Sequence, residues 1–302
     1  MPVFSTNTIM HENVFRHIGI VGKYGAPHAQ ETITRIISIL KERKLNYTLD
    51  RNTIPAPLAR HYRAIPIVDW SDEIDLCIVV GGDGTFLYAG RAVCAKNIPL
   101  LGVNMGRLGF LADVAVNQLE KDLNAILSGA YCQEMRQVLT VQVFDQQQTL
   151  LWQSYAVNDA VVHKRTMARM VELNTYTRGQ FFSAYRADGL IISTPTGSTA
   201  YALAAGGPIL EPSMPALVIA PICPHSLTYR PVVIDANSDI DIEPFHDSYD
   251  VQITVDGQEE WILQTSDRIH ITAANQLLVI HPADYQFQQR LRTKFNWGIT
   301  PD

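Results

Sequence analysis

The chain has 302 residues, of which 47% are hydrophobic and 18% are charged. This is an ordinary globular composition, and the length favours two domains because one domain takes about 100–200 residues. The formal net charge is −6 at pH 7, and no long run of lysine and arginine is present. A nucleic-acid partner is therefore disfavoured, while a small anionic ligand is not.

Neither the cysteines nor the apolar runs indicate a metal site or a membrane segment. The four cysteines form no CxxC pair and no His/Cys group with zinc spacing, so we expect free thiols in a reducing compartment. The longest apolar runs are strand-length, and the N-terminal arm, residues 1–14, is polar. These features predict no membrane span, no membrane partner and no signal peptide, as in a cytoplasmic enzyme.

Strands and helices alternate in the sequence up to about Gly129. Apolar runs predict strands at 15–21, 45–49, 76–80 and 98–103, and helices at 28–44, 86–95 and 116–127. Residues 50–70 contain three prolines and are predicted to be irregular. The run LCIVV at 76–80 is apolar throughout, as expected for a parallel strand covered on both faces. This order predicts an α/β domain with a Rossmann-like parallel sheet.

From about residue 129 to 280 the chain changes to short runs rich in Val, Ile, Thr and Tyr. Examples are LTVQVF (139–144), YAVNDAVVH (155–163), MVELNTYT (170–177) and VQITVDG (251–257). Such runs, separated by turn residues, predict a β-rich, β-sandwich-like second domain. One helix is predicted to interrupt it near Thr199. The last segment, 283–302, shows no period that assigns it to a helix or a strand.

The sequence GGDGT at 81–85 directly follows the buried strand, and ligands of open α/β sheets bind at the carboxyl ends of parallel strands. Gly81, Gly82 and Gly84 leave backbone N–H groups open to phosphate oxygens, and the next helix N-terminus favours an anion. Asp83 has two interpretations. Its carboxylate caps the helix, or it accepts a proton from an attacking hydroxyl or positions a magnesium ion.

The segment TPTGSTAY at 194–201 combines a turn with a helix start. Pro195 and Gly197 favour the turn, and Ser198 or Thr199 is predicted to cap the helix that follows. Hydroxyl groups near a helix N-terminus suit a polar ligand. A capped helix start with a hydrogen-bonded Tyr201 explains the same pattern, so the segment alone leaves both interpretations open.

Asn158 and Asp159 lie in the strand-like run AVNDAVV, where adjacent side chains point to opposite faces. One of the two therefore faces the apolar side, unless the strand bulges or ends there. A buried carboxylate or amide needs hydrogen-bond partners. The pair is either a strand end that faces water or part of a polar ligand site.

The segment VVGGDGTFL at 79–87 resembles the signature of a kinase superfamily that includes NAD kinases, diacylglycerol and sphingosine kinases and, more distantly, 6-phosphofructokinases. Four more segments narrow the resemblance to NAD kinases: GVNMGRLGF (102–110), Asn158–Asp159, DGLIISTPTGSTAYALAAGGP (188–208) and VDGQ (255–258). They occur in the family's order and, with the first, span most of residues 76–260.

This resemblance implies that the chain transfers the γ-phosphoryl group of ATP, carried with magnesium, to the 2′-hydroxyl of the adenosine ribose of NAD, with Asp83 as general base. It implies a phosphofructokinase-like α/β domain at 1–118, completed by 277–302, and a β-rich NAD-binding domain at 119–276. NAD and ATP are the expected partners, and homodimers or homotetramers are expected assemblies.

The resemblance also implies the site residues. Gly81, Gly82, Gly84 and Thr85 are expected to form the ATP phosphate loop. The residues expected to contact NAD are Asp83, Gly84, Phe110, Asn158, Asp159, Arg186, Asp188, Thr196, Thr199, Ala200, Tyr201, Ala204 and Gln258. Arg186 would lie on the same strand face as Asp188 and bind a phosphate. Asp159 stands where most members carry Glu, and Ala204 where some carry Ser.

Two other functions stay open. A lipid or sugar kinase of the same superfamily would use the same GGDGT loop, although a lipid kinase needs an apolar acceptor pocket. A non-catalytic NAD sensor would keep the fold without turnover, and the intact Asp83 argues against it.

Overall fold

The computed structural model of the chain describes residues 15–106, 109–165, 170–245, 250–264 and 266–298. The predicted N-terminal arm lies outside these ranges, as do Arg107 and Leu108 of the segment GVNMGRLGF (102–110). The chain divides into two compact units. Unit 1 comprises the described residues up to Glu134 and from Leu277 onward, and unit 2 spans Met135–Gln276.

The strands are β1 (His17–Gly22), β2 (Asn46–Asp50), β3 (Ala64–Ile65), β4 (Leu76–Gly81), β5 (Leu100–Asn104), β6 (Val114–Ala115), β7 (Tyr131–Phe144), β8 (Leu150–Ala156), β9 (Asp159–Lys164), β10 (Val171–Thr177), β11 (Gln180–Ala187), β12 (Gly189–Ser193), β13 (Ala216–Ile222), β14 (Val232–Asp235), β15 (Ile240–Pro244), β16 (Val251–Val255), β17 (Glu259–Ile262) and β18 (Arg268–Pro282). The α-helices are α1 (Pro27–Glu42), α2 (Ala56–His61), α3 (Asp83–Val93), α4 (Leu119–Leu127), α5 (Tyr201–Ala204) and α6 (Phe287–Phe295).

Unit 1 is built on a parallel sheet, which confirms the prediction for this half of the chain. Its strands lie in the order β3-β2-β1-β4-β5, and β6 and the end of β18 both pair with β5 in parallel. Apolar side chains of α1 and α4 pack in the same core, among them Ile33, Ile37, Leu123 and Ile126. The helical spacing of Ile33 and Ile37 thus reflects one buried helix face.

Unit 1 also departs from the sequence-based prediction. The stretch 50–70, predicted to be irregular, contains α2 and β3. The helix predicted at 86–95 begins earlier, at Asp83, with Gly82 as its N-cap. The prediction missed this first turn because its glycine-rich sequence shows no apolar period. The last segment forms α6. Leu119 and Leu123 of α4 lie in the core, so unit 1 extends beyond the predicted domain limit at residue 118.

Unit 2 consists of two antiparallel sheets. One contains β11, β10, β15 and β18, with β7 joining β18 to β8, and the other has the order β14-β13-β12-β9-β16-β17. Both sheets contribute to one hydrophobic core, for example through Leu173 and Ile242 from the first and Ile192 and Ile253 from the second. This face-to-face packing confirms the predicted sandwich-like architecture.

One strand of unit 2, β12, is buried along its whole length. Ile192 points into the core between the sheets, whereas Ile191 packs with Ala202 and Leu210 on the opposite face. The TPTGSTAY segment and the residues after it therefore cover the outer face of this sheet. None of the described helices is long and apolar enough to cross a membrane.

Candidate active site

Asp83 is the first residue of α3 and is separated from β4 by Gly82 alone. Its carboxylate does not cap that helix: Gly82 is the N-cap, and no side chain bonds to the cap position. Instead, the backbone N–H groups of Phe110 and Leu111 donate to the two carboxylate oxygens at 3.0 and 3.1 Å. The capping interpretation is therefore wrong, and the carboxylate is fixed by another loop.

Gly109 allows this close approach. A Cβ atom built on Gly109 would lie 2.0 Å from Oδ1 of Asp83, a distance that no pair of unbonded atoms reaches. Gly81 is constrained in the same way, because a Cβ there would lie 2.4 Å from Oγ1 of Thr85. A Cβ on Gly82 would meet no described heavy atom within 4 Å, so this glycine leaves open space beside the helix N-terminus.

A cavity of about 550 Å³ lies beside this loop in unit 1. Gly82, Gly84 and Thr85 form the wall at the N-terminus of α3, and further lining comes from Lys23, Tyr24, Asn52 and Tyr88. The backbone N–H groups and the dipole at a helix N-terminus attract phosphate. Burial, together with the nearby negative charge of Asp50, raises the pKa of Tyr88 to about 12, so its hydroxyl stays protonated.

A second cavity, of about 490 Å³, lies in unit 2. Asp159, Val161 and His163 alternate along β9 and therefore share the face that lines it. Asp188 and Lys164 also line it and form an ion pair with an Nζ–Oδ1 distance of 2.5 Å. The cavity thus carries several ionisable groups on a partly apolar wall, which suits a polar organic ligand.

The hairpin between β16 and β17 organises this cavity. Its loop consists of Asp256, Gly257 and Gln258, between the paired residues Val255 and Glu259. Asp256 and Gly257 both have positive φ, 50° and 63°, a conformation for which an Asp-Gly pair is well suited. The Asp256 carboxylate accepts hydrogen bonds from the N–H groups of Val157, Asn158 and Asp159 at 3.0, 2.8 and 3.2 Å. This fixes the backbone immediately before β9.

Asn158 and Asp159 lie at the N-terminal end of β9, which begins at Asp159. Burial, followed by the negative charge of Asp256, raises the pKa of the Asp159 carboxyl to about 7. The side-chain oxygen of Asn158 is buried and has no hydrogen-bond partner among the described residues. An acceptor without a partner beside a cavity indicates a ligand that donates to it.

The TPTGSTAY segment packs against the same backbone. Thr194 donates its hydroxyl to the carbonyl of Val157 at 2.6 Å, and a Cβ on Gly197 would lie 2.1 Å from the carbonyl oxygen of Asn158. The predicted cap on Ser198 or Thr199 is wrong. The Ser198 hydroxyl donates to the Pro195 carbonyl instead, and Ala200 precedes the short helix α5 without a side-chain cap.

Two family models match the chain: the ATP-NAD kinase N-terminal domain over residues 18–131 and the ATP-NAD kinase C-terminal domain over residues 157–281. The chain belongs to the ATP-NAD kinase family. An NAD kinase of Pseudomonas entomophila is 42% identical over 287 residues, which cover 94% of this chain and 96% of that protein. An NAD kinase of Nitrosococcus oceani is 39% identical over 286 residues, or 94% and 97% of the two chains.

Two solved structures share the fold. Yeast NADH kinase complexed with NADH has a TM-score of 0.83 at 24% identity and covers 96% of this chain and 90% of its own. An NAD kinase from Archaeoglobus fulgidus in complex with ATP has a TM-score of 0.67 at 23% identity, with coverages of 93% and 97%. At these identities the two likenesses concern the fold, and they confirm the predicted fold class of this ATP-NAD kinase family member.

Several residues that the family resemblance singles out line the two cavities, while others do not. Ala200 and Tyr201 line the cavity of unit 2, as do Asn158, Asp159 and Asp188. Thr196 is buried, and its hydroxyl has no partner among the described residues. The Thr199 hydroxyl donates to the Thr196 carbonyl. Ala204 and Gln258 are exposed and are not among the residues that line the cavity.

Arg186 and Phe110 have protein partners of their own. Arg186 lies on β11, where its guanidinium pairs with Glu172 at 3.4 Å. β11 ends at Ala187, so Asp188 is not on the same strand face, contrary to the expectation. Phe110 packs against Phe295 of α6, with ring centroids 5.7 Å apart. The ligand contacts of Arg186 and Phe110 stay predictions.

Sequence reasoning missed the residues that complete the cavities. In unit 2 these include His163, Lys164 and Thr254, and in unit 1 they include Asn52, Thr53 and Tyr88. The alternation of Asp159, Val161 and His163 was a usable signal for His163. Lys23 and Tyr24 line the unit 1 cavity as well. They occupy the turn after β1, at the same carboxyl edge of the parallel sheet as GGDGT, where the sequence alone favours a plain turn over a nucleotide contact.

Proposed function

We propose that the chain is an NAD kinase that makes NADP, with Asp83 as the general base. The observation that carries this proposal is the Asp83 carboxylate, fixed by two backbone N–H groups at the start of α3. Both bonds come from backbone N–H groups of the 109–111 segment, and no cation among the described residues forms an ion pair with this carboxylate. A carboxylate in this state is suited to accept a proton.

ATP is the proposed donor, and its phosphates are proposed to bind at the N-terminus of α3. Gly82, Gly84 and Thr85 line the cavity there, and the helix N-terminus favours negative charge. Gly81 allows Thr85 to pack tightly against the end of β4. Lys23 and Tyr24 line the same cavity and are proposed as further contacts of the nucleotide.

NAD is the proposed acceptor, with its adenosine in the unit 2 cavity. The Asn158 side-chain oxygen suits a ligand N–H or hydroxyl, because it is buried without a partner. The Asp159 carboxylate suits the ribose hydroxyls, which donate to it. Tyr201 is half-exposed and presents a flat ring to a base, and Asp188 and Lys164 offer one acceptor and one cation to the remainder of the dinucleotide.

The proposed reaction is a direct phosphoryl transfer. The ribose 2′-oxygen attacks the γ-phosphorus of ATP, a new O–P bond forms, and the bond to the β,γ-bridging oxygen breaks to release ADP. The hydroxyl proton passes to Asp83. Because such reactions depend mainly on positioning and charge neutralisation, the residues needed are orienting groups rather than a protein nucleophile.

Magnesium is proposed to enter with ATP as part of the substrate. Within the described ranges, no three His, Cys, Asp or Glu side chains come together in a way that could hold a metal ion. Phosphate oxygens are good magnesium ligands, and this ion usually keeps several waters. We therefore assign it no protein ligand.

The alternatives are less favoured. A lipid acyl chain is disfavoured because it would cover the ionisable side chains of Asp159, Asp188, Lys164 and His163, which line the unit 2 cavity. A sensor without turnover would not require the orientation of Asp83 by two N–H groups. Homodimers or homotetramers and a cytoplasmic location stay predictions, and light scattering of the purified chain would test the first.

The test is NADP formation from NAD, ATP and magnesium, detected with an NADP-specific dehydrogenase. We expect Asp83→Asn to bind NAD normally and to lose about a thousandfold in kcat, the range that general-base removal gives. The control is Asp72→Asn, which changes an exposed aspartate of the same unit and should leave kcat unchanged. Near-normal kcat in Asp83→Asn would show that Asp83 is not the base.

A further inference from the structure

A buried arginine lies in the C-terminal helix of unit 1. Arg290 of α6 is only 8% exposed. Burying a charged side chain costs on the order of several kcal/mol unless partners compensate for the lost hydration. The same helix carries the exposed Arg292. Because water does not surround the Arg290 guanidinium, its charge must be compensated by protein groups.

Among the described residues, the hydrogen-bond partners of the Arg290 guanidinium belong to residues 109–113, the segment that fixes Asp83. The guanidinium also lies 5.9 Å from the centroid of the Tyr285 ring. One guanidinium nitrogen, Nη1, donates to the Gly109 carbonyl at 3.1 Å and to the Ala112 carbonyl at 3.5 Å. The other, Nη2, donates to the Asp113 carboxylate. The second oxygen of Asp113 accepts a hydrogen bond from His281 Nδ1. The segment is thus fixed near both of its ends.

One peptide group connects Arg290 with Asp83. The Gly109 carbonyl accepts from Arg290, and the N–H of the same planar peptide, that of Phe110, donates to the Asp83 carboxylate at 3.0 Å. A donor on the carbonyl side polarises the peptide and strengthens the N–H as a donor. Burial lowers the pKa of the Arg290 guanidinium, and the negative charge of Asp83 opposes that effect, so the two groups interact electrostatically.

We propose that Arg290 is a positioning residue for phosphoryl transfer: it fixes the Gly109–Phe110 peptide and thereby the orientation of the Asp83 carboxylate. The inference rests on the proposed function, in which Asp83 is the base. It assigns a role to the segment after residue 283, which no sequence period could place. Arg290 does not touch substrate in this proposal: it acts on Asp83 through the 109–111 backbone, beside the longer-range attraction between the two charges.

The first experiment compares Arg290→Gln with Arg292→Gln, the same substitution at an exposed site of the same helix. We expect Arg290→Gln to lose about a hundredfold in kcat, as expected for a displacement of about 1 Å. KM for NAD and for ATP should change by less than about threefold, because the ligand cavities keep their lining. Arg292→Gln should match the wild type. Rates are measured below the unfolding temperature of each variant.

A double-mutant cycle separates positioning from mere support of the fold. If Arg290 acts through Asp83, then adding Arg290→Gln to Asp83→Asn should reduce the residual rate by less than about twofold. An equal loss in both backgrounds would overturn the positioning role. Should Arg290→Gln fail to fold, Arg290→Lys, which keeps the charge beside Asp113 but lacks the fork of two donors, takes its place in the cycle with the same expected non-additivity.

The two proposals fail in different ways. A folded wild-type chain that makes no NADP would overturn the proposed function, and the positioning role of Arg290 with it. An active wild type together with Arg290→Gln at full kcat would overturn only the inference about Arg290 and leave Asp83 as the base.

Discussion

The cavities of the two units are lined by different kinds of chemical group. In unit 1 two glycines, Gly82 and Gly84, form part of the cavity wall at the N-terminus of α3, and backbone N–H groups orient Asp83. In unit 2 the cavity is lined by ionisable side chains, including Asp159 and Asp188. A backbone wall constrains the sequence through glycine, whereas a side-chain wall constrains it through charge and burial. Substitutions in unit 1 should therefore act on turnover, and those in unit 2 on ligand affinity and pH dependence.

The strongest test of the backbone wall is Gly109→Ala. The new Cβ would lie 2.0 Å from the Asp83 carboxylate, so the carboxylate and the 109–111 segment must separate. We expect kcat to fall by about a hundredfold, with KM for NAD nearly unchanged, because a shift of about 1 Å at a reacting group has this effect. Steady-state kinetics with the NADP assay measure both constants.

Gly106 of the same loop provides the matched control. A Cβ there meets no described heavy atom within 4 Å, so Gly106→Ala should keep kcat and KM. Equal losses in the two alanine variants would show that the loop as a whole, rather than the approach of Gly109 to Asp83, limits turnover.

The charged wall of unit 2 is best tested by the pH dependence of stability. The pKa of Asp159 is about 7, compared with its ordinary 3.8, because its charge is buried and lies near Asp256. Ionising this carboxyl therefore destabilises the fold: the cost is absent below about pH 4, grows between pH 4 and 7 and is complete above that. The difference in unfolding free energy between Asp159→Asn and the wild type should therefore grow by about 3 kcal/mol in favour of the variant from pH 4.5 to pH 8.

Urea unfolding at the two pH values measures this difference, and the exposed Asp239→Asn serves as the control. A stability difference between Asp159→Asn and the wild type that does not grow with pH would mean that Asp159 ionises without cost. Under the proposed function, the same variant should also weaken NAD binding.

The contrast between the units also explains what the sequence could predict. The parallel sheet, β4 and the GGDGT loop follow from local signals, namely an apolar run and glycines at a strand end. The anchor of Asp83 could not be predicted, because Phe110 and Leu111 are 27 and 28 residues away along the chain. Arg290 is farther still, and the weak apolar period of α6 gave no sign of its burial.

In unit 2 the local signals predicted the Asp-Gly turn but not its use. A turn at Asp256 and Gly257 is explained by hairpin geometry alone, so nothing in the sequence indicates that Asp256 binds three N–H groups almost a hundred residues earlier. The cap predicted on Ser198 or Thr199 is wrong for a related reason, because the Ser198 hydroxyl accepts a hydrogen bond from the backbone N–H of Leu210, which follows twelve residues later.

Asp256→Asn tests the smallest of these effects and links the two properties of the unit 2 cavity. Asparagine tolerates the positive φ at this position, so the hairpin should persist. In the wild type both carboxylate oxygens accept backbone N–H groups, whereas the NH₂ group of asparagine cannot accept a hydrogen bond, so at least one bond is lost. We expect this loss to raise KM for NAD about tenfold and to change kcat by less than about threefold. Removing this charge also lowers the pKa of Asp159, since Asp256 helps to raise it.

The control is Asp145→Asn, which changes a turn carboxylate that accepts the Thr149 N–H away from the cavity and should leave KM unchanged. If Asp256→Asn keeps the wild-type KM, then the position of Asn158 and Asp159 does not depend on the hairpin, and the side-chain wall is fixed by the TPTGSTAY segment instead. If KM rises while the pH dependence of stability weakens, one turn residue both orients the acceptor site and raises the pKa of its carboxyl group.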